Sequence, residues 1–356
     1  MTFLIAAAGT GGHVFPGLAV GEALIELGVE RDMVLFVGGQ RIEANVYPDA
    51  GFPFLGLELR GLQRSLTTKN LGLPQLVWRA RNEVVHQIHQ REVKAALGLG
   101  GYVTVPTALA AHKMRVPLLL AEQNAGAGLA NRLAARWADR VFVSFPHTHG
   151  LTDGEWVGNP VRKAMVDFDR DGLRPKGLAR RGLDPGLPVL GVVGGSLGAG
   201  VLNTAARDLA SSWQGPTIQM LHLTGQGNLG PGERLSGNVR WHQVAFEERM
   251  ELFYAACDLV VARAGGGVAE LTATETPSIL IPGVFGSSGH QTANAAFMAG
   301  SGAALVLPED RIGELTGLIE RTLLDSDQLR AMRDAARAIA KPQAAMTIAS
   351  AMLELA

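Results

Sequence analysis

One pattern constrains this chain more than any other, and it occurs twice: a short apolar run ends in a cluster of glycines and passes into a stretch of helical composition. Leu4 to Ala8 runs into Gly9-Thr10-Gly11-Gly12-His13, and Val189 to Val193 runs into Gly194-Gly195-Ser196-Leu197-Gly198-Ala199-Gly200. Around these, β-rich runs such as Thr2 to Ala8 and Met33 to Val37 alternate with alanine- and leucine-rich stretches such as Leu18 to Leu27. That rhythm predicts an α/β fold with parallel sheets. Its restart at Val189 predicts two Rossmann-like halves. With 356 residues, 47% of them hydrophobic, each half has enough apolar surface for its own core.

The boundary is placed near Arg162, in Val157-Gly158-Asn159-Pro160-Val161-Arg162. Residues 1–162 then form an N-terminal domain and residues 163–342 a C-terminal one. The polar stretch Asp167 to Arg181, rich in glycine, arginine and aspartate, is read as a linker. Residues 343–356 follow Lys341-Pro342, are apolar, and are expected to form a helix that crosses back onto the first domain.

Composition excludes several classes. The 45 glycines are roughly 13% of the chain against a usual value near 7%, without the three-residue period of collagen, and imply many tight turns. The 32 basic and 33 acidic residues leave a net charge of -1, which argues against nucleic acid as a partner. The single cysteine, Cys257, excludes an intrachain disulfide and a thiolate zinc cluster and suits a reducing compartment. No basic residue precedes the apolar run at the start, so it is read as a strand rather than a signal peptide. No run approaches the roughly 18 to 20 apolar residues of a membrane span. A soluble or peripheral protein is expected.

The residues with chemical potential gather at the predicted strand ends. Gly9 to Gly12 would let amides approach a ligand, and His13 at the helix mouth has the intrinsic pKa of a base; a capping or core-edge histidine is the alternative. Gly98-Leu99-Gly100-Gly101-Tyr102 and Glu122-Gln123-Asn124 end two further strands, Ala95 to Leu99 and Pro117 to Leu120. Asn124 and Asn131 can bind sugar hydroxyls or cap helices. Gly194 to Ala199 is expected to open a helix whose first amides face an anion, with the Ser196 hydroxyl as a further donor. No Gly-Lys-Ser or Gly-Lys-Thr triplet accompanies it, so P-loop ATP hydrolysis is disfavoured. Glu270, after Arg263-Ala264-Gly265-Gly266-Gly267, suits two ribose hydroxyls, or answers a helix dipole. His290-Gln291-Thr292-Ala293-Asn294 adds a polar cluster. Asp167-Phe168-Asp169-Arg170-Asp171-Gly172 imitates a calcium loop and an Asp-x-Asp metal motif, but Leu178 stands where the twelfth-position glutamate is needed. It is read as a decoy, as are His86 and His89, which have no third ligand in view.

Taken together, Gly9-Thr10-Gly11-Gly12-His13-Val14-Phe15-Pro16, Gly100-Gly101-Tyr102-Val103-Thr104-Val105-Pro106, Glu122-Gln123-Asn124-Ala125, Gly158-Asn159-Pro160-Val161-Arg162, Gly194-Gly195-Ser196-Leu197-Gly198-Ala199 and His290-Gln291-Thr292-Ala293-Asn294 resemble the MurG family across nearly the whole chain. The resemblance implies a GT-B architecture, two Rossmann-like domains facing across a cleft. It implies a metal-independent, inverting transfer of N-acetylglucosamine from UDP-N-acetylglucosamine to the muramoyl C4 hydroxyl of undecaprenyl-diphosphate-linked N-acetylmuramoyl-pentapeptide, with no cofactor. Donor contacts carry over to Thr10, Gly11, Gly12, Asn124, Arg162, Ser196, Glu270 and Gln291, to backbone near Glu247, and to the loop Gly266, Gly267, Val268 and Ala269. His13 matches the family's proposed base. Three positions depart from the pattern: Ala121 stands for a histidine, Gly200 for an arginine, and the loop from Arg263 to Glu270 is one residue shorter. A UDP-N-acetylglucosamine 2-epimerase and a catalytically impaired UDP-sugar-binding module are the alternatives.

Between Arg60 and Lys94 seven basic residues face two acids, Glu83 and Glu92, in an otherwise balanced chain. Leu71, Leu73, Leu76, Val77 and Trp78, with Lys69 and Arg79, are therefore expected to dock on an anionic membrane surface, on the cytoplasmic face of the cell membrane. The competing reading makes Leu73, Leu76 and Val77 the inner face of a helix.

Overall fold

A computed structural model of the chain describes residues 1–59, 72–195, 198–230, 237–283 and 288–356. They divide into two compact units, Met1–Arg162 with Lys341–Ala356, and Lys163–Ala340.

The first unit runs β1 (Thr2–Ala6), α1 (Gly11–Glu26), β2 (Val34–Gly38), α2 (Glu43–Asp49), β3 (Phe54–Gly56), α3 (Leu73–Gln90), β4 (Val93–Gly98), α4 (Thr104–Met114), β5 (Leu118–Glu122), α5 (Leu129–Ala134), β6 (Arg140–Val143) and β7 (Glu155–Trp156). All five residues of β1 are buried, as expected of a parallel strand covered on both faces. Among the described residues the sheet order is β3-β2-β1-β4-β5-β6-β7, with every pairing parallel. Alternation splits its core in two. Phe3 and Ile5 pack on one face with Val20, Leu24 and Phe36, while Leu4 and Ala6 pack on the other with Val84, Ile88 and Val103. α1 starts at Gly11, so His13 lies in its first turn, at the helix mouth where the sequence places it. Thr10, in extended conformation, offers its carbonyl to His13 N at 3.0 Å and Val14 N at 3.1 Å, and this draws the glycines into the first turn.

The second unit runs α6 (Lys163–Val166), α7 (Arg170–Arg181), β8 (Val189–Val193), α8 (Gly200–Ser212), β9 (Ile218–Leu223), β10 (Val239–Val244), α9 (Met250–Ala256), β11 (Leu259–Ala262), α10 (Gly267–Ala273), β12 (Ser278–Leu280), α11 (Ser288–Gly300), β13 (Ala304–Val306), α12 (Leu315–Leu323) and α13 (Ser326–Ile339). Its sheet order is β10-β9-β8-β11-β12-β13, again parallel throughout the described residues. The chain then returns to the first unit as α14 (Ala344–Glu354), whose Ile348, Ala349 and Met352 complete the core beside α1.

The stretch Asp167 to Arg181 is not a linker. It holds α7, packed on α9, and its arginines act as internal donors. Arg170 gives hydrogen bonds to Tyr254 O at 2.9 Å, Cys257 O at 3.0 Å, Thr274 O at 3.1 Å and Thr276 Oγ1 at 2.8 Å. Carbonyls at helix C-termini lack partners within their own helix, and a guanidinium satisfies several at once. Burial, with Arg333 nearby, lowers the Arg170 pKa to about 10, so it stays charged at neutral pH. Arg170→Ala should therefore destabilise the chain by about 2 to 4 kcal/mol in urea denaturation, through orphaned acceptors. Arg170→Lys, a point charge without the planar fork, should recover less than half of that.

Candidate active site

In an open parallel sheet, ligands collect where two crossovers leave the carboxyl edge in opposite directions. The first unit has this switch point between β1 and β4, and the second between β8 and β11. The glycine turns singled out in the sequence follow those four strands.

In the first unit, Gly11 and Gly12 open α1, where amides have no acceptor within the helix. Thr10 is exposed and His13 half-buried. His13 Nδ1 lies 3.4 Å from Thr10 Oγ1. The other edge of the imidazole rests on the turn after β4: a Cβ on Gly100 would fall 2.9 Å from its Cδ2 and 3.0 Å from its Nε2. Gly101, at φ +76°, passes so close to the first turn that a Cβ there would lie 2.5 Å from Ala8 O. Arg162 lies with its guanidinium 5.4 Å from the ring centre of Phe15 in α1.

At the end of β5 the organising residue is Glu122, which is buried. Its carboxylate accepts from Asn124 N at 3.0 Å, Asn124 Nδ2 at 3.2 Å, Gly128 N at 3.0 Å and Asn131 Nδ2 at 2.8 Å. Asn131 is fully buried and belongs to this scaffold, not to a sugar-binding surface as one sequence reading had it. Asn124 is half-buried. The Glu-x-Asn spacing was the available signal for this arrangement. Glu43, fully buried behind the Gly9 turn, was missed outright, because it lies in no motif.

In the second unit α8 starts only at Gly200, with Ala199 as N-cap, rather than within Gly194 to Ala199. Close approach sets the turn at Gly198, where a Cβ would sit 2.1 Å from Thr224 O just beyond β9. Ser196 lies outside the described residues. Beneath the turn, Asn203 of α8 donates through Nδ2 to Thr224 O at 3.0 Å, and its Oδ1 faces His222 Nε2 at 3.0 Å. That orientation requires the proton on Nε2. His222 is buried, and desolvation, with Arg207 nearby, pushes its pKa down to about 4.

After β11, Gly266 caps α10 and Gly267 opens it, with nothing within 4 Å of a Cβ placed on Gly267. Val268 is buried and Ala269 half-buried, and their amides donate to Gly265 O at 3.1 Å and Gly266 O at 3.2 Å. Glu270, half-buried in the first turn, accepts from the Tyr254 hydroxyl at 2.9 Å. The loop is pinned by Asn294 Nδ2 on Ala264 O at 3.0 Å and by Arg263 on Ile281 O at 3.1 Å and Glu309 at 2.5 Å. Gln291 of α11 accepts from Gly283 N at 2.9 Å. Glu247 is buried and ion-paired with Arg180 and Arg181. Burial opposes its charge, but hydrogen bonds from Arg181, Arg249 N and Arg180 prevail and hold its carboxyl below the usual range. Its side chain is thus engaged within the protein, and a ligand there would meet backbone.

On α3, Leu73, Leu76 and Val77 are half-buried, Arg79 is exposed, and Trp78 is 60% exposed. The inner face of that helix is formed by Ala80, Val84 and Ile88. Lys69 and Leu71 lie outside the described residues. Among the described residues no helix is long and apolar enough to cross a membrane.

Known proteins resemble this chain in sequence and fold. Residues 3–143 match the glycosyltransferase family 28 N-terminal domain, and residues 189–348 match the family 28 C-terminal domain. The UDP-N-acetylglucosamine–N-acetylmuramyl-(pentapeptide) pyrophosphoryl-undecaprenol N-acetylglucosamine transferase of Alkalilimnicola ehrlichii is 39% identical over 364 residues, spanning 99% of each chain. The transferase of the same name from Thermobifida fusca is 34% identical over 361 residues, covering 100% of this chain and 94% of its own. The crystal structure of Acinetobacter baumannii MurG superposes with a TM-score of 0.79 at 26% identity over 99% of each chain. A UDP-GlcNAc 2-epimerase from Neisseria meningitidis, at 12% identity and a TM-score of 0.69, shares the fold alone. The chain belongs to glycosyltransferase family 28 and, within it, to the MurG family of N-acetylglucosamine transferases, with the GT-B fold class.

The buried histidine carries a pH signature. Its folded-state pKa near 4 lies below the ordinary 6.5, so between these values the unfolded chain binds a proton that the folded chain does not. The associated stability is fully present above pH 6.5 and is lost as pH falls toward 4, on the order of 3 kcal/mol in all. His222→Gln keeps a donor for Asn203 without titrating. Denaturation across this window should show a shallower pH slope for the variant than for the parent.

Proposed function

We propose that this chain moves N-acetylglucosamine from UDP-N-acetylglucosamine to the C4 hydroxyl of the N-acetylmuramoyl residue of undecaprenyl-diphosphate-linked muramoyl-pentapeptide, lipid I, giving lipid II. The observation that carries this reading is that each unit, taken by itself, places a polar side chain at a helix mouth beside its own switch point, His13 in the first and Glu270 in the second. Whole-length similarity to transferases of that name supports it.

In this mechanism His13 Nε2 accepts the proton of the C4 hydroxyl as its oxygen attacks the anomeric carbon. The bond from that carbon to the diphosphate oxygen breaks, UDP departs with the electron pair, and the α-glycoside becomes β. Charge developing on the diphosphate is met by amides at the start of α8 and by Ser196, preorganised donors that substitute for a metal ion. Glu270, steadied by Tyr254, takes the ribose hydroxyls. Thr10, Gly11, Gly12, Asn124, Arg162, Gln291, the Gly266 to Ala269 backbone and backbone near Glu247 complete the donor contacts.

A lipid I analogue with purified protein tests this. His13→Ala should lower kcat by roughly 10² to 10⁴ with UDP affinity retained. Glu270→Ala should weaken UDP binding by about one to two decades in calorimetric titration. Turnover should persist in EDTA. Loss of UDP affinity in His13→Ala would move that residue to binding, and acceptor-free epimerisation of the donor would replace the transferase reading.

The acceptor carries a polyprenyl chain, so the enzyme works as a peripheral protein at the cytoplasmic membrane face. The exposed Trp78 beside Arg79, with Leu73, Leu76 and Val77 at the surface end of α3 and with Lys69 and Leu71, supplies the anionic-membrane contact in this reading. Leu73→Glu with Trp78→Glu should lose co-sedimentation with phosphatidylglycerol vesicles while retaining UDP binding. Equal pelleting of folded variant and parent removes the docking site.

A further inference from the structure

Glu43 is the first residue of α2, fully buried, and no motif in the sequence contains it. Its carboxylate joins three loops at the carboxyl edge of the first unit's sheet. Oε2 accepts from Gly9 N at 3.3 Å, and Oε1 accepts from Gly39 N at 3.1 Å and from the Tyr102 hydroxyl at 3.3 Å. Those donors follow β1, β2 and β4 respectively. Acceptor lone pairs are needed at both oxygens, which a carboxylate offers and an amide does not. Burial of the phenol, together with the Glu43 charge, pushes the Tyr102 pKa up to about 12, so Tyr102 remains a donor.

The turns after β1 and β4 are also wedged against each other around His13. Gly101 lies against Ala8 O, and Gly100 lies under the imidazole edge that carries Nε2. His13 N and Val14 N hang from Thr10 O, one residue beyond the amide that Glu43 holds. Glu43 therefore grips both halves of the histidine's seat, one through Gly9 N and the other through Tyr102. We propose that Glu43 is a positioning residue for glycosyl transfer, setting the register of the two turns that aims the His13 imidazole. This rests on the reading of His13 as the base. Glu43 itself touches no reacting atom, and a displacement of about 1 Å at a reacting group is enough to cost two decades in rate.

The test uses the full chain with Glu43→Gln, which keeps size but sets an NH2 group against at least one of the three donors. We expect kcat with a lipid I analogue to fall roughly 10- to 100-fold while the calorimetric Kd for UDP is unchanged. A second readout needs no substrate: the NMR titration midpoint and ring shifts of His13 should move, while those of the exposed His86 and His89 stay. Tyr102→Phe, which removes only the phenol to carboxylate bond, should move the His13 signals in the same direction by less, and it carries the test if Glu43→Gln does not fold. Parental kcat in a folded, UDP-binding variant, with unmoved His13 signals, overturns the proposal and leaves Glu43 a purely structural residue, even if its Tm is lower. If the parent transfers no N-acetylglucosamine but His13 still responds to Glu43→Gln, the functional reading fails and the positioning of His13 stands.

Discussion

The central parallel strands β1 and β8 set the conditions for everything else in this protein. A parallel strand cannot reach its neighbour by a hairpin and needs a crossover, usually helical. Each of these strands has neighbours on both sides that are reached by separate crossovers, so the loops at the carboxyl edge diverge there. Burial on both faces makes the strands near-continuous apolar runs, Thr2–Ala6 and Val189–Val193. The chemistry is consequently confined to the glycine turns that follow, and to helices that start there.

Such turns have few side chains with which to define their own shape. Buried polar groups behind them do it instead. Glu43 and Glu122 collect amides in the first unit, and Asn203, Arg263 and Asn294 hold carbonyls or carboxylates in the second. A buried donor or acceptor left unpaired costs about 1 to 3 kcal/mol, so each of these side chains narrows the conformations open to its turn. Glycine gives access, and the buried polar residue supplies the restraint.

Arginine serves a related purpose in the second unit. The near-neutral chain spends several of its positive charges internally: Arg170 and Arg174 on helix-end carbonyls and Asp258, Arg180 and Arg181 on Glu247. A guanidinium can bridge elements that share no apolar contact, because its planar fork serves several acceptors at once. Composition therefore misleads at Asp167 to Arg181, where a sequence that reads as solvated linker holds an amphipathic helix whose Arg170 and Arg174 reach backbone carbonyls while Arg180 and Arg181 pair with Glu247.

What the sequence determined by itself is local in origin. Continuous apolar runs followed by glycine identified the two parallel-sheet units, and His13, Glu270 and the Glu122-Gln123-Asn124 segment were legible as polar residues placed just beyond strand ends. Glycine is a poor helix former, and only the extended Thr10, whose carbonyl accepts two amides, shows how α1 begins at Gly11, just ahead of His13. Tertiary structure alone decided what each polar residue does. Glu43 meets Gly9 and Tyr102, which lie 34 and 59 residues away, and Arg170 meets acceptors 84 to 106 residues away. Hydrogen bonding is directional and short in range, so such partnerships exist only after the sheet has brought distant turns to one edge. The apolar pattern that builds the sheet is periodic along the chain and can be read there. The polar contacts that shape the site have no period, and folding is what creates them.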